Sequence, residues 1–279
     1  METVRFSAGA LAGLTVQGAL MMLIPVVLLV LWMKKTREKI LPVIVGAAAW
    51  FVFAIILKLA PAYFLIQADN PVSRAVNSSP WLLYAVAGIL AGVFEETARY
   101  LSFKFVLKKY EDRRAAISYG IGHGGFESVY VGFQTLSVAF LGMIVNSGLI
   151  SRITAGMNGD QLFALFAQLG EYADLPFAEC LLGVFERLPA IVLHISLSVL
   201  VFAAVRRKRY FYLYPASVAV HALFDFSIAL YASGILPSWA LELLFACLAA
   251  AVAFFASRVY KTLGENEIVI DGSDLRTEE

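Results

Sequence analysis

Residues 81–105 read WLLYAVAGILAGVFEETARYLSFKF. The first fourteen, 81–94, carry no charge, and then Glu95, Glu96 and Arg99 follow in quick succession. A hydrocarbon core of about 30 Å needs about 20 predominantly apolar residues as helix. The stretch is long enough to cross a bilayer, and it takes two carboxylates and a guanidinium in with it. Ionisable groups at that depth are costly and face an interior cavity or a partner. This one segment therefore implies a membrane helix and something inside for its charges to meet.

The rest of the chain agrees. Of 279 residues, 60% are hydrophobic and 15% are charged, with a mean hydropathy of +0.77. Soluble domains have roughly 45–50% apolar and 25% charged residues. Such hydrophobicity excludes disorder for most of the length, and a net charge of +1 gives no footprint for nucleic acid. Cys180 and Cys247 stand in separate apolar segments, so they form neither a disulfide framework nor a CxxC metal knuckle and read as packing residues. The N-terminus lacks the basic start and short apolar run of a signal peptide.

Charges mark the breaks between apolar stretches. Spans are expected over about 6–33, 40–66, 81–105, 115–147, 178–205, 211–232 and 237–257. Segment 161–169, within a wetter stretch at 148–176, reads either as a short interfacial helix or as a simple loop. Loops 34–39, 106–114 and 206–209 carry four Lys or Arg each, whereas 67–80 and 148–176 carry one each, Arg74 and Arg152. By the positive-inside rule the basic loops are cytoplasmic, the N-terminus is outside and the C-terminus inside. The expected fold is all-α: a polytopic transmembrane helical bundle of about seven spans. It forms a single membrane domain over 1–261, with a polar, disordered cytoplasmic tail at 262–279.

All three histidines, His123, His194 and His221, fall in these spans, as do Glu127, Glu186, Arg187, Asp225 and Glu242. Glu95 stands 13 residues before Lys108, Glu127 13 after Arg114, His194 12 before Arg206 and His221 12 after Arg209. At 1.5 Å per residue each lies roughly 18–20 Å along its helix from a cytoplasmic charge. Four helices thus bring Glu, Glu, His and His to one level near mid-membrane. Two imidazoles and a carboxylate make a zinc triad with a position left for water, and a further carboxylate can serve as general base. Glu95 and Glu96 point about 100° apart on a helix, so one can face metal or water while the other pairs with Arg99, three or four residues on. His123 and Glu127 share a helix face, as do His221 and Asp225. Asp225 would orient His221 or ligate directly. Glu186 with Arg187, about two turns from His194, reads as an ion pair with a partner helix. Lys58 either snorkels outward or pairs internally. The bland alternative, histidines that only hydrogen-bond helix to helix, is the commoner role of a lone intramembrane His.

At these residues the sequence resembles a known superfamily. Glu95-Glu96-Thr97-Ala98-Arg99 resembles the EExxR motif of the CAAX-protease and bacteriocin-processing membrane proteins. Gly125-Phe126-Glu127-Ser128-Val129-Tyr130 resembles the second motif of its PrsW-like branch, where Glu replaces His. His194 resembles the third-motif His, and His221-Ala222-Leu223-Phe224-Asp225 the closing HxxxD/N motif. With GxGHGGxE at 120–127, the whole pattern is most similar to the YhfC family of intramembrane metalloproteases, over about 81–226. The resemblance implies a glutamate-dependent intramembrane endopeptidase of the bacterial cytoplasmic membrane. Glu95 or Glu96 would activate water, and Glu127, His194 and His221 would bind a divalent metal, expected to be zinc. Arg99 or His123 would help stabilise the oxyanion, and His123, Asp225 and Glu186 would support or complete the ligand shell. The expected substrates are bacterial membrane proteins or peptides rather than prenylated CAAX proteins. Two other readings compete: a non-catalytic scaffold or immunity-like protein with a buried polar cluster, and a proton-coupled transporter. No internal repeat of the transporter kind is evident.

Overall fold

The computed structural model describes the backbone of residues 4–273 and the side chains of residues 4–264. Among these, seven helices are long and apolar enough to cross a membrane: α1 (Ala8–Thr36), α2 (Leu41–Gln67), α3 (Pro80–Val106), α4 (Arg114–Asn146), α6 (Phe177–Arg206), α7 (Lys208–Ala232) and α8 (Ser238–Ser273). A shorter helix, α5 (Gly159–Ala173), lies between α4 and α6 in sequence. No strand occurs among the described residues. The protein is an all-α integral membrane protein. In hydrocarbon every backbone polar group must be satisfied within its own segment, and a helix does this.

Local signals set several helix ends. Ser79 accepts a hydrogen bond from the Trp81 amide, and Pro80 fills the first position of α3, where its missing N–H costs nothing. Segment 161–169 proves helical, inside α5. Asn158 and Gln161 form a reciprocal capping box there, which satisfies two of the amides that a helix start leaves orphaned. The polar tail expected from residue 262 lies outside the described residues beyond 273; up to that point 262–273 continue α8. Helix α2 is not regular. Phe51–Leu57 and Tyr63–Gln67 are wound as π-helix around a short α-helical turn that begins at Lys58. Such π segments are rare and often mark functional sites.

The chain divides into two compact units, Met1–Val26 with Ser128–Leu188, and Val27–Glu127 with Pro189–Glu279. In the first, Phe6, Leu14, Ala139, Leu169, Ala173 and Cys180 make a small apolar core. The N-terminal segment is tied down at both its polar backbone groups, since Asn146 accepts from the Phe6 amide at 2.9 Å and donates to the Phe6 carbonyl at 2.8 Å.

The second unit holds the larger core, built on Phe103, Tyr119, Phe202, Phe224 and Phe245 with the apolar face of 193–204. Arg206 closes one end, donating to the carbonyls of Leu107 at 2.8 Å and Tyr110 at 2.9 Å. It thereby satisfies acceptors left free past the end of α3. Helices α3 and α7 touch backbone to backbone. A β-carbon on Gly92 would stand 2.6 Å from the Val218 carbonyl oxygen, and one on Gly88 would stand 2.5 Å from that of Ala222. Small residues permit this approach, which stands in for a hydrophobic driving force between helices in lipid. Gly92→Val is therefore expected to lower stability by about 1–3 kcal/mol through overpacking, visible as a lower thermal midpoint in detergent. Ile89→Val, at a position 56% exposed, should leave the midpoint unchanged.

Candidate functional site

The polar residues of α2, α3, α4, α6 and α7 within the second unit converge on one cluster. Its closed end is Arg99, which is fully buried. Its guanidinium donates through Nη1 to Glu96 Oε1, through Nη2 to His194 Nδ1 and through Nε to Ser198 Oγ at 3.2 Å. Ser198 in turn donates to the His194 carbonyl at 2.7 Å. Arginine has no acceptor to offer, so the His194 Nδ1 accepts and its Nε2 carries the proton, directed at Glu127 Oε2, 2.7 Å away.

Glu96 is used twice at one oxygen, for Oε1 also accepts from His221 Nδ1 at 2.7 Å. A carboxylate behind Nδ1 fixes the imidazole tautomer and leaves Nε2 as a lone pair. That Nε2 faces Asp225 Oδ2 at 3.8 Å and Glu95 Oε2 at 3.9 Å. Glu95 is the meeting point of the open side. His123 Nε2 lies 3.1 Å from its Oε2, and Lys58 Nζ lies 3.8 Å from its Oε1. The three imidazoles run in a chain, with ring centroids 5.1 Å apart for His123 and His194 and 5.4 Å for His194 and His221. Glycines again allow the approach: a β-carbon on Gly124 would stand 2.8 Å from that of His194.

The donor set fits a metal ion. Ligand atoms of Glu95, His194 and His221, all buried, lie within 4.8 Å of one another. Glu95, Glu96, Glu127 and Asp225 bring four carboxylates to the cluster, and Arg99 and Lys58 pair with Glu96 and Glu95. Carboxylates gathered out of bulk water repel one another, and a divalent cation held among them would offset that repulsion. Two buried atoms, Glu96 Oε2 and His123 Nδ1, have no hydrogen-bond partner among the described residues. If His194 Nε2 were a ligand, its proton would have to leave, so metal binding there would release a proton.

Burial gives the cluster a direction. Side chains of Glu96 and Arg99 are wholly inaccessible, whereas those of Glu127, Lys58 and Asp225 are 19%, 26% and 33% exposed. The cluster is thus closed at Glu96 and Arg99 and accessible on the side of Lys58, Glu127 and Asp225.

Eight of the nine residues singled out from the sequence meet here: Glu95, Glu96, Arg99, His123, Glu127, His194, His221 and Asp225. The ninth, Glu186, belongs to the first unit and forms its ion pair with the adjacent Arg187. Lys58 and Ser198 join the cluster without having been singled out for it. Lys58 carries a sequence signal, as a cation inside an apolar run. Ser198 carries none, because serines in spans commonly bond their own helix.

Among known proteins, residues 20–246 match the family model described as YhfC intramembrane metalloprotease. The chain is also 32% identical over 262 residues to a protein of Bacillus subtilis (strain 168) titled "Uncharacterized membrane protein YhfC". The match spans 91% of this chain and 99% of that protein. No solved structure matches.

The Arg99–Glu96 pair makes a stability prediction. Arg99→Leu strands Glu96 as a buried charge and is expected to cost about 3–5 kcal/mol. Arg99→Leu combined with Glu96→Leu should recover much of that loss. Thermal melts of the two proteins in detergent test the difference.

Proposed function

The chain belongs to the YhfC intramembrane metalloprotease family, and on that premise we propose that it hydrolyses a peptide bond of a membrane protein or membrane-inserted peptide. In this reading Glu95 is the base, and Glu127, His194 and His221 hold a divalent cation. The supporting observation is the convergence of Glu95, His194 and His221 in one buried cluster drawn from three spans. Two imidazoles with carboxylates form the donor set of a catalytic zinc site, so zinc is the expected cation. When bound, such an ion activates water at neutral pH and polarises a carbonyl.

The chain's own residues divide the remaining work. Glu95 takes a proton from the attacking water at a carboxylate oxygen and passes it to the departing amine nitrogen, the usual round trip of a general base. Either glutamate of the pair satisfies the sequence pattern; the contacts favour Glu95. Glu96 Oε1 is already engaged by Arg99 and His221, which makes Glu96 a positioning residue that holds the His221 tautomer. Arg99 likewise has its donors directed at Glu96, His194 and Ser198, so it orients the cluster and is not placed at the oxyanion. Lys58 and His123 are the donors beside Glu95 and the better candidates for that role. Substrate helices resist cleavage because their carbonyls are internally bonded, so a span loosened by Gly or Pro, or an end near the membrane surface, is the expected target.

Two measurements test the reading. Metal analysis of protein purified without chelators is expected to find about one zinc per chain, lost in His221→Ala. Mapping of new N-termini in membranes of cells expressing the wild type is expected to reveal cleavage products that Glu95→Gln reduces by roughly 10²–10⁴-fold, with Glu96→Gln less severe. Neither metal nor new termini would leave the cluster as a packing device and overturn the proposal.

A further inference from the structure

The second unit also carries a groove of about 330 Å³ that none of the cluster's residues lines. It runs between α4, α6 and α8, with Ile117 from the first, Ile195 and Val199 from the second, and Ala253, Ala256 and Tyr260 from the third. All three helices are long and apolar enough to cross a membrane. The two serines in the lining are engaged within their own helices: Ser196 donates to the Val192 carbonyl and Ser257 to the Phe254 carbonyl, each at 2.7 Å. The walls are therefore hydrocarbon along most of their length. One end is cationic. Lys261 lines it, and Arg113, one turn before Ile117, lies over the Tyr260 ring, its guanidinium carbon 4.6 Å from the centroid. Its Nη1 donates to the Tyr260 carbonyl at 2.8 Å and lies 3.4 Å from that of Lys261. A β-carbon on Gly264 would fall on this guanidinium, so the glycine leaves room for it. Arginine has five N–H donors. Nε and Nη2 of Arg113, and Nζ of Lys261, donate to no described residue. The adjacent carboxylate, Asp112, is engaged by Arg114.

We propose that this groove binds an anionic phospholipid, with an acyl chain along its apolar walls and the headgroup phosphate at Arg113 and Lys261. The walls belong to membrane-crossing helices and present no unpaired serine hydroxyl, so the bilayer's own hydrocarbon is the matching occupant. The cations select the headgroup. A guanidinium fork can meet phosphate oxygens with two parallel bonds, and basic pockets between membrane helices take anionic lipid headgroups. A zwitterionic lipid offers the same phosphate but brings a choline cation with it, which two neighbouring cations repel. Tyr260, between the apolar walls and the cations, stands where an aromatic ring suits the boundary of hydrocarbon and headgroup. A phosphate held by Arg113, just ahead of α4, and by Lys261 on α8 would tie these two helices together. The site needs neither a metal nor a general base, so it is independent of the proteolytic reading.

The test titrates the full-length chain in detergent with dioleoyl phosphatidylglycerol or dioleoyl phosphatidylcholine and reads bound lipid by native mass spectrometry. The expected result is phosphatidylglycerol held about tenfold or more tightly than phosphatidylcholine. Arg113→Gln and Lys261→Gln should each weaken phosphatidylglycerol by about fivefold. Ser257→Trp, which fills the groove from an exposed position, should abolish the preference. If Arg113→Gln lowers the thermal midpoint through its lost bonds to α8, Lys261→Gln, at an exposed position, decides alone. Equal retention of the two lipids, or an affinity unchanged by Lys261→Gln, would overturn the proposal. So would an affinity unchanged by Ser257→Trp, which would mean a phosphate held at the surface with no chain in the groove. A dimer that Ser257→Trp dissociates, with no lipid bound, would assign the groove to a second copy of the chain and overturn it as well.

Discussion

A guanidinium that cannot leave the membrane organises the second unit. Arg99 is held among Glu96, His194 and Ser198, and each contact constrains the next residue out. Because Arg99 only donates, His194 must accept at Nδ1 and point its other nitrogen at Glu127. Because Arg99 and His221 share one oxygen of Glu96, the His221 tautomer is set and its free nitrogen faces Glu95 and Asp225. Orientation at the open end of the cluster thus traces back to a residue wholly buried at its closed end. In water such a pair would be worth little; away from water, leaving either partner alone is what costs.

The same arrangement explains why two adjacent glutamates need not be equivalent. Neighbours on a helix diverge by about 100°, so α3 turns Glu96 inward to the cation and imidazole and leaves Glu95 beside Lys58 and His123. One carboxylate is engaged by Arg99 and His221, and the other meets Lys58 and His123. The meeting of Glu95, His194 and His221 in one buried group is the strongest physical argument for a divalent cation, since it is a property of the fold and not of a name.

Glycine carries much of the packing. Gly88 and Gly92 bring α3 onto α7, and Gly124 brings α4 onto His194. Without these approaches, residues on four spans would stand a side chain's width too far apart to share ligands. The irregular winding of α2 around Lys58 belongs with this logic, because it delivers a cation from a fifth span to Oε1 of Glu95.

The sequence by itself determined that the chain is helical and crosses the membrane about seven times, because apolar run length and backbone satisfaction leave no other solution in lipid. It also pointed to eight of the residues that meet in the cluster, because an ionisable group in an apolar run needs a partner and residue counts from the basic loops put Glu95, Glu127, His194 and His221 at one depth. Helix rotation, and with it partner choice, was decided only by the tertiary structure. Residue counts give height along a helix but not which way a side chain turns relative to its neighbours. So the pairing of Glu96 rather than Glu95 with Arg99, the pairing of Glu186 with its own neighbour Arg187, and the arrival of Lys58 and Ser198 all depended on how the helices are turned toward one another. A serine such as Ser198 carries no charge to announce it in a span, and its contact with Arg99 appears only when the helices around it are in place.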